Sequence, residues 1–445
     1  MILATFLLMA APAFAEWQAG AARADLTPQE PIWMAGYAAR TKPSEGVRQK
    51  IWAKALALRD EKGAAAVIVT LDLVGIRRPL AEDLAGAITS KHKIPRDRIL
   101  FNASHTHSAP LVGGIDSYVH IMGDQAPKHA EIVKRYTAQV RARILEAVDG
   151  AMAGLAPATL EFEQGFAGFA VNRRRVGNRQ YPGPVDHDVP VLAVRGSDNK
   201  LRAILFGYAC HNTVLGDYEI NGDYAGYAQE ALEKLNPGAV ALFVQGAGAD
   251  SNPLPRRSVE LAQRYGSVLG DAVDQVLKAK MMPVRGPLST SMETIELRFA
   301  APPSRAELEQ RLTSKDATTK RHAERMIEKL NRDGKLVESH PYPVQAWRFG
   351  KDMTLLTLAG ELVVDFSLRF KGRYGWDKLW VAGYSNDVFG YIPSLRVLKE
   401  GGYEGGGAML FGGFPGPFAD DVEERVAAAV ERVMKQSGAA LAAAK

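Results

Sequence analysis

The chain has 445 residues, 47% hydrophobic and 24% charged, the balance of an ordinary globular protein with enough apolar material for a large core. Its net charge of +5 is scattered, without a Lys/Arg block. That argues against nucleic acid as a partner, since such binding wants a clustered basic stripe, and leaves only weak attraction to anionic surfaces, including peripheral membrane contact. The single cysteine, Cys210, excludes an internal disulfide and reads as a small buried hydrophobe in an apolar strand.

Met1–Ala11 is almost wholly apolar, and Ala13-Phe14-Ala15 before Glu16 is a small-x-small cleavage pattern. Residues 1–15 are therefore expected to be a removed signal peptide, although no Lys or Arg precedes the apolar run; the mature protein would be secreted or periplasmic. No segment is long and apolar enough to span a bilayer. Gly20–Thr27 reads as a strand entering a turn at Pro28. Residues 53–58 and 64–71 read as a hairpin around Glu61-Lys62-Gly63. A helix over 78–89 leads to a strand over 99–103, and residues 128–152 carry helical periodicity. Strands over 189–194 and 203–209 flank the Gly196–Asn199 turn. A helix over 224–235, a strand over 239–244 and a helix over 261–277 follow. Residues 304–335 form a charged helical excursion, packed on the core or covering the site. Strands at 353–358 and 378–381, a Gly-rich loop at 400–417 and a last helix over 420–435 complete the chain. Alternating strands and helices imply an α/β fold, a mixed sheet in one catalytic domain over 16–437 with its site at strand C-terminal ends, and a loose tail at 438–445.

The chemistry concentrates after three strands. Asn102-Ala103-Ser104-His105-Thr106-His107-Ser108 follows the first. Residues i and i+2 share a face of a strand, so His105 and His107 would aim two imidazoles at one volume, as a metal such as zinc requires. Hydrogen-bonded surface histidines are the plainer alternative. His211, in Cys210-His211-Asn212-Thr213, ends a second strand, where α/β proteins build sites. Asp223, in Asn221-Gly222-Asp223-Tyr224, suits a helix N-cap or a partner for a ligand histidine. The third strand runs into Gly246-Ala247-Gly248-Ala249-Asp250-Ser251-Asn252. Its glycines allow close backbone approach and an oxyanion contact near Gly248, and it is neither a P-loop nor a dinucleotide fingerprint.

In this order the motifs resemble the neutral/alkaline non-lysosomal ceramidase family. Asp25-Leu26-Thr27-Pro28, Met34-Ala35-Gly36-Tyr37, Asn172-Arg173 and Asp186–Val189 extend the resemblance over most of the chain. It implies zinc-dependent hydrolysis of an N-acyl amide, with the zinc (Zn2+) held by two histidines, a glutamate and a tyrosine. Matched motif by motif, the histidines are His105 and His211, the glutamate is Glu361 in Ala359-Gly360-Glu361, and the tyrosine is Tyr391 in Asn386–Ile392, with Tyr384 as its rival. His107 and Tyr403 would assist at the transition state. Asp250 would act beside the metal, or position substrate with Asp223, Gly248 and Ser251. Arg173 would hold a polar end of the substrate.

Two departures stand out. The family's essential serine follows Gly-Asp-Val in the Gly-rich loop; here Asn252 falls at its place and Ser251 one residue before. Asn252 can donate a hydrogen bond but is not a nucleophile. The family's C-terminal β-sandwich-like domain has no counterpart after Tyr403, so the chain is expected to carry the catalytic part alone. The reading is a metal-dependent amidohydrolase acting on a small-molecule or lipid-like acyl amide, or an ester. The alternative is a non-catalytic metal- or ligand-binding protein of the same fold.

Overall fold

Continuous apolar runs require a partner layer on each face of a strand, and the chain meets that demand twice in one topology. A computed structural model describes residues 17–113, 125–176 and 182–442; the expected signal peptide lies outside them. The first unit comprises β1 (Trp17–Asp25), β2 (Trp52–Asp60), β3 (Ala65–Leu71), helix α1 (Arg78–His92), β4 (Ile99–Ala103) and helix α2 (Ala126–Ala153). The second repeats it: β5 (Ala156–Phe166), β6 (Asp188–Gly196), β7 (Leu201–Tyr208), helix α3 (Asp223–Leu235), β8 (Val240–Gln245) and helix α4 (Val259–Lys278).

The strands form one sheet in the order β8-β7-β6-β5-β1-β2-β3-β4. Antiparallel pairing of β1 with β5 joins the units at its centre, and parallel pairs, β3/β4 and β7/β8, close each end. No repeat of residue type accompanies this repeat of topology. Ala53, Val67 and Phe101 face the helices of the first unit, and Ile204, Ala241 and Phe243 those of the second. Leu56, Ile68 and Leu100 meet Leu192, Leu205 and Leu242 in a shared core, so the sheet folds over on itself. Asn102 ties its edges together: its Oδ1 accepts from Gln245 N at 2.8 Å and its Nδ2 donates to Gly383 O at 2.8 Å.

A second sheet runs β9 (Leu288–Arg298), β10 (Ser339–Phe349), β11 (Met353–Leu358) and β12 (Leu379–Ala382). Helix α5 (Val364–Tyr374) carries the chain from β11 to its parallel neighbour β12. Trp347 and Trp380 of this sheet complete the shared core. The strands β5, β9 and β10 and helix α5 have no counterpart in the sequence reading; polar residues or prolines interrupt the apolar runs of the strands.

Three expectations need correction. The excursion is two helices, Arg305–Arg311 and Ala317–Asp333, rather than one. Ser304 and Asp316, each accepting backbone N–H bonds as an N-cap, start separate helices. Their small core of Leu308, Ala323, Met326 and Leu336 is their own. His322 Nε2 is bonded to Phe414 O, and none of these helices' residues lines the cleft described below. The Gly-rich stretch is not loop throughout: Tyr403–Gly407 and Met409–Gly412 are short helical turns. The tail expected to be loose from Gly438 is held at Ala442, whose N–H donates to Arg373 O at 3.0 Å.

Candidate active site

The C-terminal ends of β4, β7, β8, β11 and β12 converge, and each is followed by a candidate residue. His105 lies two residues beyond β4 with φ of 62°, so the strand alternation invoked to pair it with His107 does not apply. The loop itself turns the imidazoles together, with Nε2 atoms 3.1 Å apart. His211 follows β7. One nitrogen from each of His105, His107 and His211 lies within 4.8 Å of the others; His105 and His211 are buried, and His107 is part-buried at the cleft.

Glu361 joins them from the end of β11. A short parallel ladder pairs Glu361 with Tyr391 and Leu362 with Ile392, which sets the acid and the phenol side by side. Glu361 Oε2 is 3.2 Å from His105 Nε2 and 3.4 Å from His211 Nε2. The Tyr391 hydroxyl is 3.3 Å from His211 Nε2. Tyr384 packs its ring 4.6 Å from that of His105, and its hydroxyl has no hydrogen-bond partner among the described residues.

The donor set fits a divalent cation. His105 Nδ1 lies 2.5 Å from Val74 O, and His211 Nδ1 lies 2.8 Å from Gly248 O. Each ring thus faces an oxygen acceptor at both nitrogens, while a neutral imidazole carries one N–H. Burial, reinforced by Arg173, pushes His211 down to about 4, so it is neutral at pH 7. With Nδ1–H given to the carbonyl, Nε2 turns a lone pair toward Glu361 Oε2, which itself has no hydrogen-bond partner among the described residues. Converging imidazole and carboxylate lone pairs suit a divalent cation.

A cleft of about 680 Å³ opens onto His107, Arg173, Asn252, Tyr391 and Tyr403. Antiparallel pairing of Ser251–Pro253 with Ala170–Asn172 brings Arg173 beside Asn252. Arg173 donates through Nη2 to Tyr391 Oη at 3.0 Å and through Nε to Glu404 at 2.6 Å. Tyr403 packs edge-on against Tyr391, with centroids 5.2 Å apart, and is about half exposed, at 48%.

A profile of the family described as neutral/alkaline non-lysosomal ceramidase, N-terminal, matches residues 17–253, more than half of the chain. The chain belongs to that family. It is 26% identical to the neutral ceramidase of Drosophila melanogaster over 282 residues, 60% of this chain and 37% of that protein. The Drosophila pseudoobscura pseudoobscura neutral ceramidase is 26% identical over 284 residues, with the same coverage. The matched part is thus little more than a third of those relatives' length. The crystal structure of neutral ceramidase from Pseudomonas aeruginosa shares the fold with a TM-score of 0.74 at 18% identity, covering 95% of this chain and 74% of that one. A ceramidase complexed with C2 superposes with a TM-score of 0.73 at 18% identity, covering 94% of this chain and 76% of that one. His105, His107 and His211 fall within the family match; Glu361, Tyr391 and Tyr403 lie beyond it.

Within this ceramidase-family fold, four of the residues read as site groups face elsewhere. Asp250 is fully buried away from the cleft: Oδ1 accepts from Val364 N at 2.9 Å and Oδ2 from Asn172 Nδ2 at 3.0 Å. It fastens the Gly-rich loop to helix α5 and is not aimed at a reacting atom. Asp223 accepts from Val214, Leu215 and Tyr224 N–H groups and closes the turn after His211. The Gly248 N–H donates to Gly246 O, so it is not free for an oxyanion, and its carbonyl orients His211 instead. A Cβ at Gly248 would lie 2.5 Å from Cys210 N, which explains glycine there. Ser251 Oγ is buried without a partner among the described residues and does not line the cleft.

The sequence reading gave no role to Tyr37, Arg40, Thr213, Arg174, Arg256 or Glu404. Tyr37 and Thr213 stood inside the quoted motifs next to Gly36 and His211. Arg174 and Glu404 adjoin residues already singled out. Arg40 and Arg256 carried no local signal.

Proposed function

We propose that the protein is a zinc-dependent hydrolase that cleaves the amide bond of an N-acyl compound, or an ester bond in its place. The observation that carries this reading is the meeting of His105, His107 and His211, with Glu361 against His105 and His211 and the Tyr391 hydroxyl beside His211. His105, His211, Glu361 and Tyr391 would hold the ion, with His107 close enough to join them or to bond a water. The ion, when bound, polarises a carbonyl and brings a water's pKa toward ~7.

The chain's own residues do the rest. His105 and His211 keep Nε2 free of a proton by donating Nδ1–H to Val74 O and Gly248 O. Arg173 fixes the Tyr391 oxygen and is itself anchored on Glu404. His107, whose proton affinity burial and His105 hold well below the usual range, is a neutral base facing the cleft. Tyr403 and Asn252 line the same wall and can donate to a carbonyl oxygen acquiring charge. The leader read at residues 1–15 supports action outside the cytoplasm.

Zinc content and turnover of a panel of N-acyl amides and acyl esters test the reading together. About one zinc per chain is expected, with hydrolysis that a chelator abolishes and added zinc restores. Asn252 at the family's serine position favours a second reading, a binding protein of the same fold. A zinc-loaded protein inert toward every panel member would establish that one instead.

A further inference from the structure

The two walls of the cleft differ in charge. On one, Glu404 is paired with Arg173 and Arg174, and Glu400 with Arg174, Arg175 and Arg396. Every guanidinium on that wall has a carboxylate partner. The other carries Arg256 at the surface of the cleft, with Arg40 and Arg257 on either side of Tyr37. The Arg40 guanidinium carbon stands 4.9 Å from the Tyr37 ring centre and that of Arg257 stands 5.0 Å from it. None of these three arginines is ion-paired with a carboxylate among the described residues. Arg40 is buried and gives its donors to the carbonyls of Ala35 and Asp217, while its Nε has no partner. Arg257 reaches Leu215 O at 3.4 Å. Asp223, behind them, already accepts three backbone N–H bonds. Arginine is a group whose planar fork matches carboxylate, sulfate or phosphate.

The charge stands close to the candidate metal centre. Tyr37 lies edge-on to His107 with centroids 4.8 Å apart, so one aromatic ring separates His107 from the guanidiniums. The lining gives little to an aliphatic chain: Val176 and Leu254 are its aliphatic side chains. A neutral lipid headgroup would leave Arg256 without a counter-charge, and an anion would supply it.

We propose that Arg256, backed by the field of Arg40 and Arg257, binds an acidic group of the substrate, so that the preferred substrate is an acyl amide with an anion near its scissile bond. This rests on the hydrolase reading above for which bond is cut, and on the cleft alone for what is bound. Arg256 is a specificity residue here; it is not assigned a part in bond cleavage.

The probes are N-dodecanoylglycine and N-dodecanoylethanolamine, which share an acyl chain and an amide and differ in charge. Both are titrated calorimetrically into the full chain and assayed with the zinc-loaded protein. The wild type should favour the glycine amide about tenfold or more, as a charge-assisted contact implies. Its affinity should fall with added salt while that of the ethanolamide stays level. Arg256→Gln should erase most of the preference, Arg256→Lys should keep part of it, and Arg332→Gln, an exposed guanidinium paired with Asp333, should not change it. Equal binding of the two amides by the wild type, or a preference that survives Arg256→Gln, overturns the inference. Absence of turnover with both amides and with every member of the amide and ester panel defeats the hydrolase reading instead, and the calorimetric ratio still decides this one.

Discussion

Arg173 donates to the Tyr391 hydroxyl at 3.0 Å while its Nε is held by Glu404 at 2.6 Å. Arginine, phenol and histidine thereby form one line, because Tyr391 Oη lies 3.3 Å from His211 Nε2. Burial drives the Tyr391 phenol well above its usual range, and Arg173 is the first group to oppose this. Arg173→Met should therefore weaken zinc binding or activity by roughly 10–100-fold, as loss of a group that orients a metal ligand does. Tyr391→Phe should act in the same direction, and the double variant should lose less than the sum. Chelator competition and kcat/KM on the four proteins give the coupling, with circular dichroism reporting the fold. Strictly additive losses would show that the two residues act separately.

The histidine cluster makes a metal-removal prediction. The Nε2 lone pairs of His105 and His211 converge with Glu361 Oε2, and a bound cation would satisfy all three. Zinc should therefore stabilise the folded chain, by about 4 kcal/mol where its free concentration is 1,000 times its Kd. His105→Ala and His211→Ala should each lose zinc and activity together. Elemental analysis and thermal melts with and without chelator check both points. Zinc retained by the double alanine variant would put the ion elsewhere.

The sequence carried more of the site than of the fold that builds it. The apolar runs of β2, β3, β4, β7 and β8 are buried on both faces, so their strands could be read nearly to the residue, and His105 and His211 follow them directly. Glu361 and Tyr391 came from resemblance alone; their neighbourhood depends on a two-residue parallel ladder, too short to leave a pattern. The repeated topology left no trace because each unit fills its strands with different apolar residues. Asp250 reads as a functional acid because sequence shows a carboxylate in a loop, not the backbone N–H group it will meet; for Asp223 the capping alternative anticipated that kind of bond. Arg256 was invisible for the opposite reason: its meaning is the absence of a nearby carboxylate partner, a property of the folded surface.

Gly36 gives the third prediction. Its φ is 93°, a conformation that L side chains rarely adopt, and a Cβ there would lie 2.4–2.7 Å from the His107 ring. Gly36→Ala should destabilise the chain by about 1–2 kcal/mol from backbone strain alone. It should also push His107 from the cleft, lowering kcat for any substrate by more than that stability loss explains. Denaturant unfolding set beside kcat separates the two effects. A fully active Gly36→Ala would show that the ring's present position is not needed.

Asp223 sets a pH dependence of stability distinct from the catalytic groups. It is fully buried, and burial lifts its carboxyl to about 6 against the bonds from Leu215, Tyr224 and Val214 N–H that favour the anion. A carboxyl raised from 3.8 to about 6 on folding binds a proton in the native state that the unfolded chain has released. Its contribution is therefore fully present below pH 3.8, declines as pH rises through the window to about 6, and is gone above it. The change is on the order of 3 kcal/mol from two pKa units. Asn at this position stays neutral throughout. The stability of Asp223→Asn relative to wild type should rise between pH 4 and pH 7, whatever its absolute value. Urea unfolding of both proteins at several pH values reads the difference directly. A flat difference across that range would mean that the native carboxyl titrates as it does in the unfolded chain.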